Sequence, residues 1–222
     1  MILSGTFSEK IEIIHNPKKR FFGTEKETLV DKLTEVARNG FGTEITRGDV
    51  ESHVLSVAML YIIHNGLELI GFSSYDTFSL ECRHILYLHG IAIKEEFQKR
   101  GLFCRVNQHA ILSKKFDFLA MRTQNPVVYA ATQRIVHELY PNSLAIPPGI
   151  KRLGKTIAKE YLHMEQFDEK TFVGRMTYGK CLYDKVPRHN RSNVFFDETL
   201  RLDYNAGDSV LLIGRLNNEN LD

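Results

Sequence analysis

The sequence predicts an α/β fold. Short apolar runs alternate with longer segments of helical periodicity, in the order strand, helix, helix, strand, strand, strand, helix, strand, helix over residues 9–139. The chain has 222 residues, of which 43% are hydrophobic and 25% are charged, which is an ordinary composition for a globular protein. This length is enough for one large core, so we expect residues 1–222 to form a single domain.

Charge and cysteine content argue against several classes of protein. The 29 Lys and Arg residues nearly balance 27 Asp and Glu residues, which gives little reason to expect a nucleic-acid partner. The 3 cysteines are too few and too widely spaced for a disulfide framework.

The longest apolar stretch, 54–63, is shorter than the roughly 20 residues that cross a bilayer. Residues 1–10 lack the features of a secretory signal, so we expect a cytoplasmic protein without a membrane partner.

The N-terminal part should contain one strand and two helices. Residues 9–14 have the pattern of a short strand. Thr24, with a glutamate three residues later, forms a capping-box pattern and predicts a helix from about 25 to 39, closed by Gly40. Thr46 is predicted to cap a second, short helix.

A hairpin and a further strand follow. Segments 56–63 and 67–75 are rich in β-formers, and Asn65-Gly66 between them is typical of a hairpin turn. The apolar run 84–93 then predicts a strand, which leads through a basic loop into an amphipathic helix at 103–116.

The loop between that strand and that helix is the best indication of function. Such a junction brings unpaired backbone N–H groups and the positive end of a helix dipole to one place, which suits phosphate oxygens. Gly101 lets the chain turn tightly and lets a phosphate approach the backbone.

The residues of this loop resemble the signature of the GNAT superfamily of N-acyltransferases, which reads Arg/Gln-x-x-Gly-x-Gly/Ala at the start of a helix. The resemblance implies that the loop amides hold the pyrophosphate of acetyl-CoA, and that the backbone of the preceding strand at Gly90 to Ile93 orients the thioester. Phe103 departs from the pattern, since a small residue is usual there. The cofactor-binding residues implied are Ile91, Ile93, Gln98, Lys99, Arg100, Gly101, Leu102 and Phe103.

A second segment adds to the resemblance. After a predicted buried strand, Asn125-Pro126 suits the start of a helix, which should continue through about Leu139. In the superfamily an asparagine at this place contacts the pantetheine arm, so the resemblance gives that role to Asn125. Many members carry a tyrosine seven residues later as proton donor to the thiolate. Thr132 stands there, and Tyr129 is the candidate acid instead.

Residues 194–196 and 209–216 predict two strands around a turn. The resemblance implies the architecture, a mixed, mostly antiparallel and bent sheet flanked by helices, which ends in such an antiparallel pair. Residues 141–190 precede those strands and are interpreted as an insertion or lid, with a helix at 152–163. Their aromatic and basic residues favour an acceptor with an apolar or acidic part, although a solvated lid explains the charge equally well.

Acetyl transfer to an amine needs a neutral nucleophile, so a base or a water path must remove a proton. His89 lies nearest to the implied thioester, and histidine ordinarily titrates near neutral pH. Simple packing in the strand is the alternative. We expect no metal, because His84 and His89 are five positions apart on a strand and face opposite sides.

The implied reaction is direct attack of a primary amine, from a small molecule or a peptide, on acetyl-CoA in a ternary complex. The acceptor and the oligomeric state stay open, with a homodimer as one alternative. A non-catalytic CoA-binding sensor or interaction module is a second interpretation. A third is a nucleotide-binding protein, since residues 149–156 match the P-loop pattern, although Pro147-Pro148 argues against the strand that a P-loop needs.

Overall fold

The computed structural model describes residues 9–216, which form two compact units. The first unit contains residues 9–76 with His89–Leu102, and the second contains Thr77–Leu88 with residues 103–216. Two strands contribute to both units, because the division falls inside them. The interpretation of the whole chain as one domain with an insertion at 141–190 stays a prediction.

The first unit consists of a sheet and three helices. In chain order these are β1 (Glu9–His15), α1 (Pro17–Arg20), α2 (Gly23–Phe41), α3 (Arg47–Leu55), β2 (Met59–Asn65), β3 (Glu68–Leu80) and β4 (Arg83–Ile93), followed by a 3₁₀ turn at Glu95–Phe97. β2 pairs antiparallel with both β1 and β3. The predicted N-terminal strand, the two helices and the Asn65-Gly66 hairpin are therefore confirmed.

The helices of this unit cover one face of its sheet. Leu60 and Ile62 alternate along β2 and lie in one apolar cluster with Leu33 of α2 and Val54 of α3. Burial of this helical stripe, rather than helix propensity alone, holds the two helices in place. Thr46 caps α3 as predicted, since its hydroxyl accepts a hydrogen bond from the Asp49 amide at 3.1 Å.

Two details of α2 differ from the prediction. The residue before the helix is Phe22, so the capping box proposed at Thr24 is not formed. The helix also continues past Gly40 and ends before Gly42, which has the left-handed φ of 67°. Gly40 meets a different requirement, because a Cβ there would lie 2.5 Å from the Ile93 carbonyl oxygen. Only glycine allows α2 to approach the end of β4 this closely.

The second unit contains the remaining helices and strands. These are α4 (Leu102–Leu112), β5 (Phe118–Thr123), α5 (Pro126–Thr132), β6 (Glu138–Tyr140), α6 (Pro148–Thr156), β7 (Phe167–Asp168), β8 (Val173–Gly174) and β9 (Ser209–Arg215), with π-helical segments at Ile157–Tyr161 and Phe195–Leu200. α4 starts on Leu102, the last residue assigned to the first unit.

The strands of the second unit make the sheet mixed. β5 runs parallel to β4, with Ile85 opposite Phe118, whereas β9 runs antiparallel to β5, β6 and β8. The fold class, a mixed and mostly antiparallel sheet with flanking helices, is thus confirmed, and the bend stays a prediction. β7 and β8 come from the segment interpreted as an insertion, so part of that segment extends the sheet.

Two predictions for this unit are wrong. The helix after Asn125 ends at Thr132 instead of Leu139, because residues Glu138–Tyr140 pair with β9. The strand predicted at 194–196 is a π-helical segment, in which Phe196 is buried against Tyr129. Short apolar runs fit a strand or a buried helix equally well, and the tertiary contacts decide.

Candidate active site

Polar groups of the loop after β4 attach it to the ends of α2 and β4. The Gln98 side chain donates hydrogen bonds to the carbonyl oxygens of Gly40 and Ile93, both at 2.9 Å. The Glu95 amide donates to the Asn39 side chain at 2.7 Å. Gln98 therefore fixes the loop to the end of α2 and to the end of β4. The side-chain carboxamide of this predicted ligand-binding residue is thus used within the protein.

The outer part of the loop, Lys99 to Gly101, exposes its backbone to open space at Gly101. Lys99 and Gly101 both have left-handed conformations, with φ of 60° and 78°. A Cβ on Gly101 would meet no atom within 4 Å, so the space beside this residue is open. The Arg100 side chain turns back, donating to the Glu96 carbonyl at 2.7 Å and lying over the Phe97 ring at 4.9 Å. Backbone amides at such left-handed turns can converge on an anion.

The strand that enters the loop carries the predicted thioester-orienting residues. His89, Ile91 and Ile93 alternate along one face of β4, and all three are half-buried. These residues and the loop through Leu102 belong to the first unit, whereas Phe103, Asn125 and Tyr129 belong to the second.

His89 forms a close pair with an aspartate that the sequence analysis did not select. Its Nε2 lies 2.9 Å from Oδ2 of Asp76, and the two side chains are 25% and 27% exposed. The other oxygen of Asp76 accepts the Ala58 amide at 2.7 Å. An ionised carboxylate only accepts hydrogen bonds, so Nε2 of a neutral His89 carries the proton and Nδ1 has the lone pair.

A second histidine lies near this pair. The ring of His53, near the end of α3, meets the ring of His89 edge-on, with the centroids 6.5 Å apart. Its Nδ1 lies 2.7 Å from the Asp49 carbonyl oxygen and so acts as donor. One local feature of the sequence could have pointed to Asp76. Aspartate is uncommon in strands, and Asp76 directly follows the β-prone segment 67–75. Nothing local pointed to His53.

In the second unit, Asn125 caps α5 as predicted. Its Oδ1 accepts the amides of Val127 at 2.8 Å and Val128 at 3.4 Å, and its Nδ2 lies 3.2 Å from the Tyr183 hydroxyl. The carboxamide therefore satisfies the first turn of the helix. The pantetheine contact given to Asn125 stays a prediction.

Tyr129 is a buried residue of α5. Its hydroxyl donates to the Pro141 carbonyl at 3.0 Å, and its ring packs against Phe195 and Phe196. Burial raises the pKa of Tyr129 to about 12. These contacts are those of a packed core tyrosine, and the role as proton donor stays a prediction.

The P-loop interpretation of residues 149–156 is wrong. These residues lie in the helix α6, where the Lys151 amide bonds to the Pro147 carbonyl at 2.9 Å, and so they form no phosphate-binding loop. Lys155 makes an ion pair with Glu169 at 2.8 Å.

Two kinds of feature are absent from residues 9–216. No group of three or more His, Cys, Asp or Glu side chains is placed to hold a metal ion. Within the same residues, no helix has both the length and the apolar character to cross a bilayer.

The chain is similar to known proteins in its three-dimensional structure. No family model and no curated protein matches the chain. Among solved structures, it is similar to a NatC complex bound to Gag peptide and CoA, at 11% identity and a TM-score of 0.48, over 93% of this chain and 99% of that one. It is also similar to an acetyltransferase from Thermus thermophilus, at 18% identity and a TM-score of 0.43, over 56% of this chain and 84% of that one.

A further similar structure is a GNAT-family acetyltransferase from Bacillus cereus, at 14% identity and a TM-score of 0.41, over 60% of this chain and 88% of that one. GNAT is the superfamily whose loop signature the sequence resembles. At such identities, and with TM-scores below 0.5, activity has to be inferred from the residues of this chain.

Proposed function

We propose that this chain transfers an acetyl group from acetyl-CoA to a primary amine of a small-molecule or peptide acceptor. The observation that carries the proposal is the pair that His89 forms with Asp76 at 2.9 Å. His89 lies on the strand that enters the loop, where Lys99 and Gly101 are left-handed. All of these residues belong to the first unit, so a base and a candidate phosphate loop occur on one continuous segment.

Several features of the loop support acetyl-CoA as the co-substrate. The backbone amides from Lys99 to Leu102 would hold the pyrophosphate, and the open space beside Gly101 leaves room for its oxygens. The Gln98 amide is not among them, because it already donates to the Glu95 carbonyl at 3.1 Å. Gln98 and Asn39 fix the loop from the side of α2. Acetyl-CoA would supply the acetyl group as a thioester. An amine attacks a thioester more readily than it attacks a carboxylate.

The chemistry assigned to the protein is proton transfer. As the amine nitrogen bonds to the acetyl carbon and the carbon–sulfur bond breaks, Nδ1 of His89 accepts the amine proton, directly or through a water molecule. Asp76 stabilises the positive charge that forms on the imidazole, and the Ala58 amide holds the carboxylate in position. The thiolate takes up a proton and His89 loses one, so the products are the acetylated amine and CoA thiol.

We further propose a cytoplasmic location for this activity, where acetyl-CoA is available. Its cysteines, Cys82, Cys104 and Cys181, are all free thiols, which suits a reducing compartment.

The test is release of CoA thiol from acetyl-CoA across a panel of primary amines. We expect release with at least one amine, and a rate about a hundredfold lower in His89→Gln. His84→Gln is the matched control, because His84 is an exposed histidine of the same strand that contacts Ser79 at 3.0 Å. Equal rates in His89→Gln and the native chain would contradict the assigned base. Acetyl-CoA binding without thiol release from any amine would favour the non-catalytic module.

A further inference from the structure

The second unit holds an arginine at the end of β5 that the proposed reaction does not use. Tyr87 of β4 stands opposite Ala120 of β5, so strand alternation places Arg122 on the same face as Tyr87, one step further along. The Arg122 guanidinium lies 5.3 Å over the ring of Tyr178 and is close enough to the Tyr87 hydroxyl to donate a hydrogen bond to it.

Among the described residues, no negative charge balances this guanidinium. Within residues 9–216, Arg122 makes no ion pair with a carboxylate, and its Nε is buried without an acceptor. Burial raises the pKa of Tyr87 and of Tyr178, so both phenols stay neutral. A half-buried cation with no counter-charge is energetically costly, because it loses part of its hydration and gains no charged partner. An anion bound to Arg122 would remove that cost.

The residues around Arg122 form an aromatic cluster that solvent partly reaches. The Phe78 and Tyr161 rings lie 4.2 Å apart, and Tyr161 meets Tyr87 edge-on at 5.2 Å. Phe78, Tyr161 and Tyr178 are only half-buried, as is Arg122. Aromatic faces of this kind stack well on a planar group.

We propose that Arg122, Tyr87 and Tyr178 form a binding site for an anionic oxyacid group, carboxylate or phosphate, carried by a flat apolar ligand. The Arg122 guanidinium donates hydrogen bonds to the oxygens of the ligand, because its N–H groups match the geometry of a carboxylate or a phosphate. Phe78 and Tyr161 contact the apolar body. The site lies entirely in the second unit and does not depend on the proposed acetyl transfer.

The test is calorimetric titration of the full chain with benzoate, with benzamide as its neutral analogue of the same shape. Benzoate should bind at least tenfold more tightly than benzamide. Phenyl phosphate forms a third arm, which distinguishes phosphate from carboxylate as the preferred group. Binding of either anion supports the site, and binding of neither would overturn it.

Two variants locate the binding. Arg122→Gln should reduce benzoate affinity at least tenfold, whereas Arg152→Gln should leave it unchanged, because Arg152 has a 62% exposed side chain and pairs with Glu81 at 3.0 Å. Unchanged affinity in a folded Arg122→Gln variant would overturn the proposal. If that variant does not fold, the native chain still decides, because affinities for benzoate and phenyl phosphate that are no higher than the affinity for benzamide would exclude an anion site.

Discussion

The two strand-to-helix junctions, after β4 in the first unit and after β5 in the second, differ in how they use their polar groups. After β4, Gln98 holds the loop from behind and two left-handed residues lie on its outer part. After β5, Asn125 sits at the turn itself and already accepts the amides of Val127 and Val128. A strand followed by a turn and a helix is therefore not sufficient for a phosphate site. What matters is whether the backbone amides keep their hydrogen-bonding capacity.

The largest expected effect on stability comes from the close contact between Gly40 of α2 and Ile93, at the end of β4. Gly40→Ala should lower the free energy of unfolding by about 3 kcal/mol, because its Cβ would lie 2.5 Å from the Ile93 carbonyl oxygen. Denaturant titration measures this effect. Gly48→Ala in α3 is the matched control, since a Cβ there meets nothing within 4 Å, and it should raise stability by about 0.5 kcal/mol. Similar stabilities of the two variants would mean that close approach to β4 does not hold the loop.

The next effect concerns the orientation of His89. Asp76→Asn keeps an oxygen for the Ala58 amide but can present an N–H to His89, which would move the lone pair from Nδ1 to Nε2. We expect kcat to fall roughly thirtyfold, equivalent to about 2 kcal/mol, with the KM for acetyl-CoA unchanged. Steady-state kinetics would separate this positioning role from a structural one. A rise in KM at constant kcat would contradict it.

The turn after β5 should show a smaller effect. Asn125→Ala removes the cap of α5 and should cost about 1 kcal/mol of stability in thermal unfolding. Asn125→Ser restores a capping oxygen and should recover most of that loss. The pantetheine contact predicted for Asn125 requires both variants to bind acetyl-CoA more weakly. Native affinity in the serine variant would leave Asn125 with a capping role alone.

The smallest effect is expected at Tyr129. Tyr129→Phe loses one buried hydrogen bond, to the Pro141 carbonyl, and should cost about 0.5 to 1 kcal/mol of stability. A proton donor to the thiolate would instead require kcat to fall by about a hundredfold. The kcat of this single variant distinguishes the packed tyrosine from the acid.

The elements predicted correctly have strong local signals. Asn65-Gly66 specifies a hairpin, and the oxygens of Thr46 and Asn125 specify helix starts, because each acts on residues two or three positions away. The strand that carries His89 was predictable for the same reason, since its apolar run is long and has clear boundaries.

The parts that sequence reasoning missed depend on contacts between distant residues. Asp76 and His89 are thirteen positions apart on neighbouring strands, so their pairing requires the register of β3 and β4. Gly40 looked like a helix stop until its distance from Ile93 was known. Several helices and strands, from α5 to β8, separate Arg122 from Tyr178 along the chain, and no local pattern places the two residues together.

The central claim is that the loop after β4 binds acetyl-CoA, and calorimetric titration of acetyl-CoA tests it most directly. Gly101→Glu places a carboxylate in the open space where the pyrophosphate would lie. Gly66→Glu is its control, because Gly66 is a left-handed glycine of the same unit with nothing within 4 Å of a Cβ. We predict low-micromolar binding to the native chain and to Gly66→Glu, and none to a folded Gly101→Glu. Absence of binding to the native chain, or equal binding to Gly101→Glu, would contradict the claim.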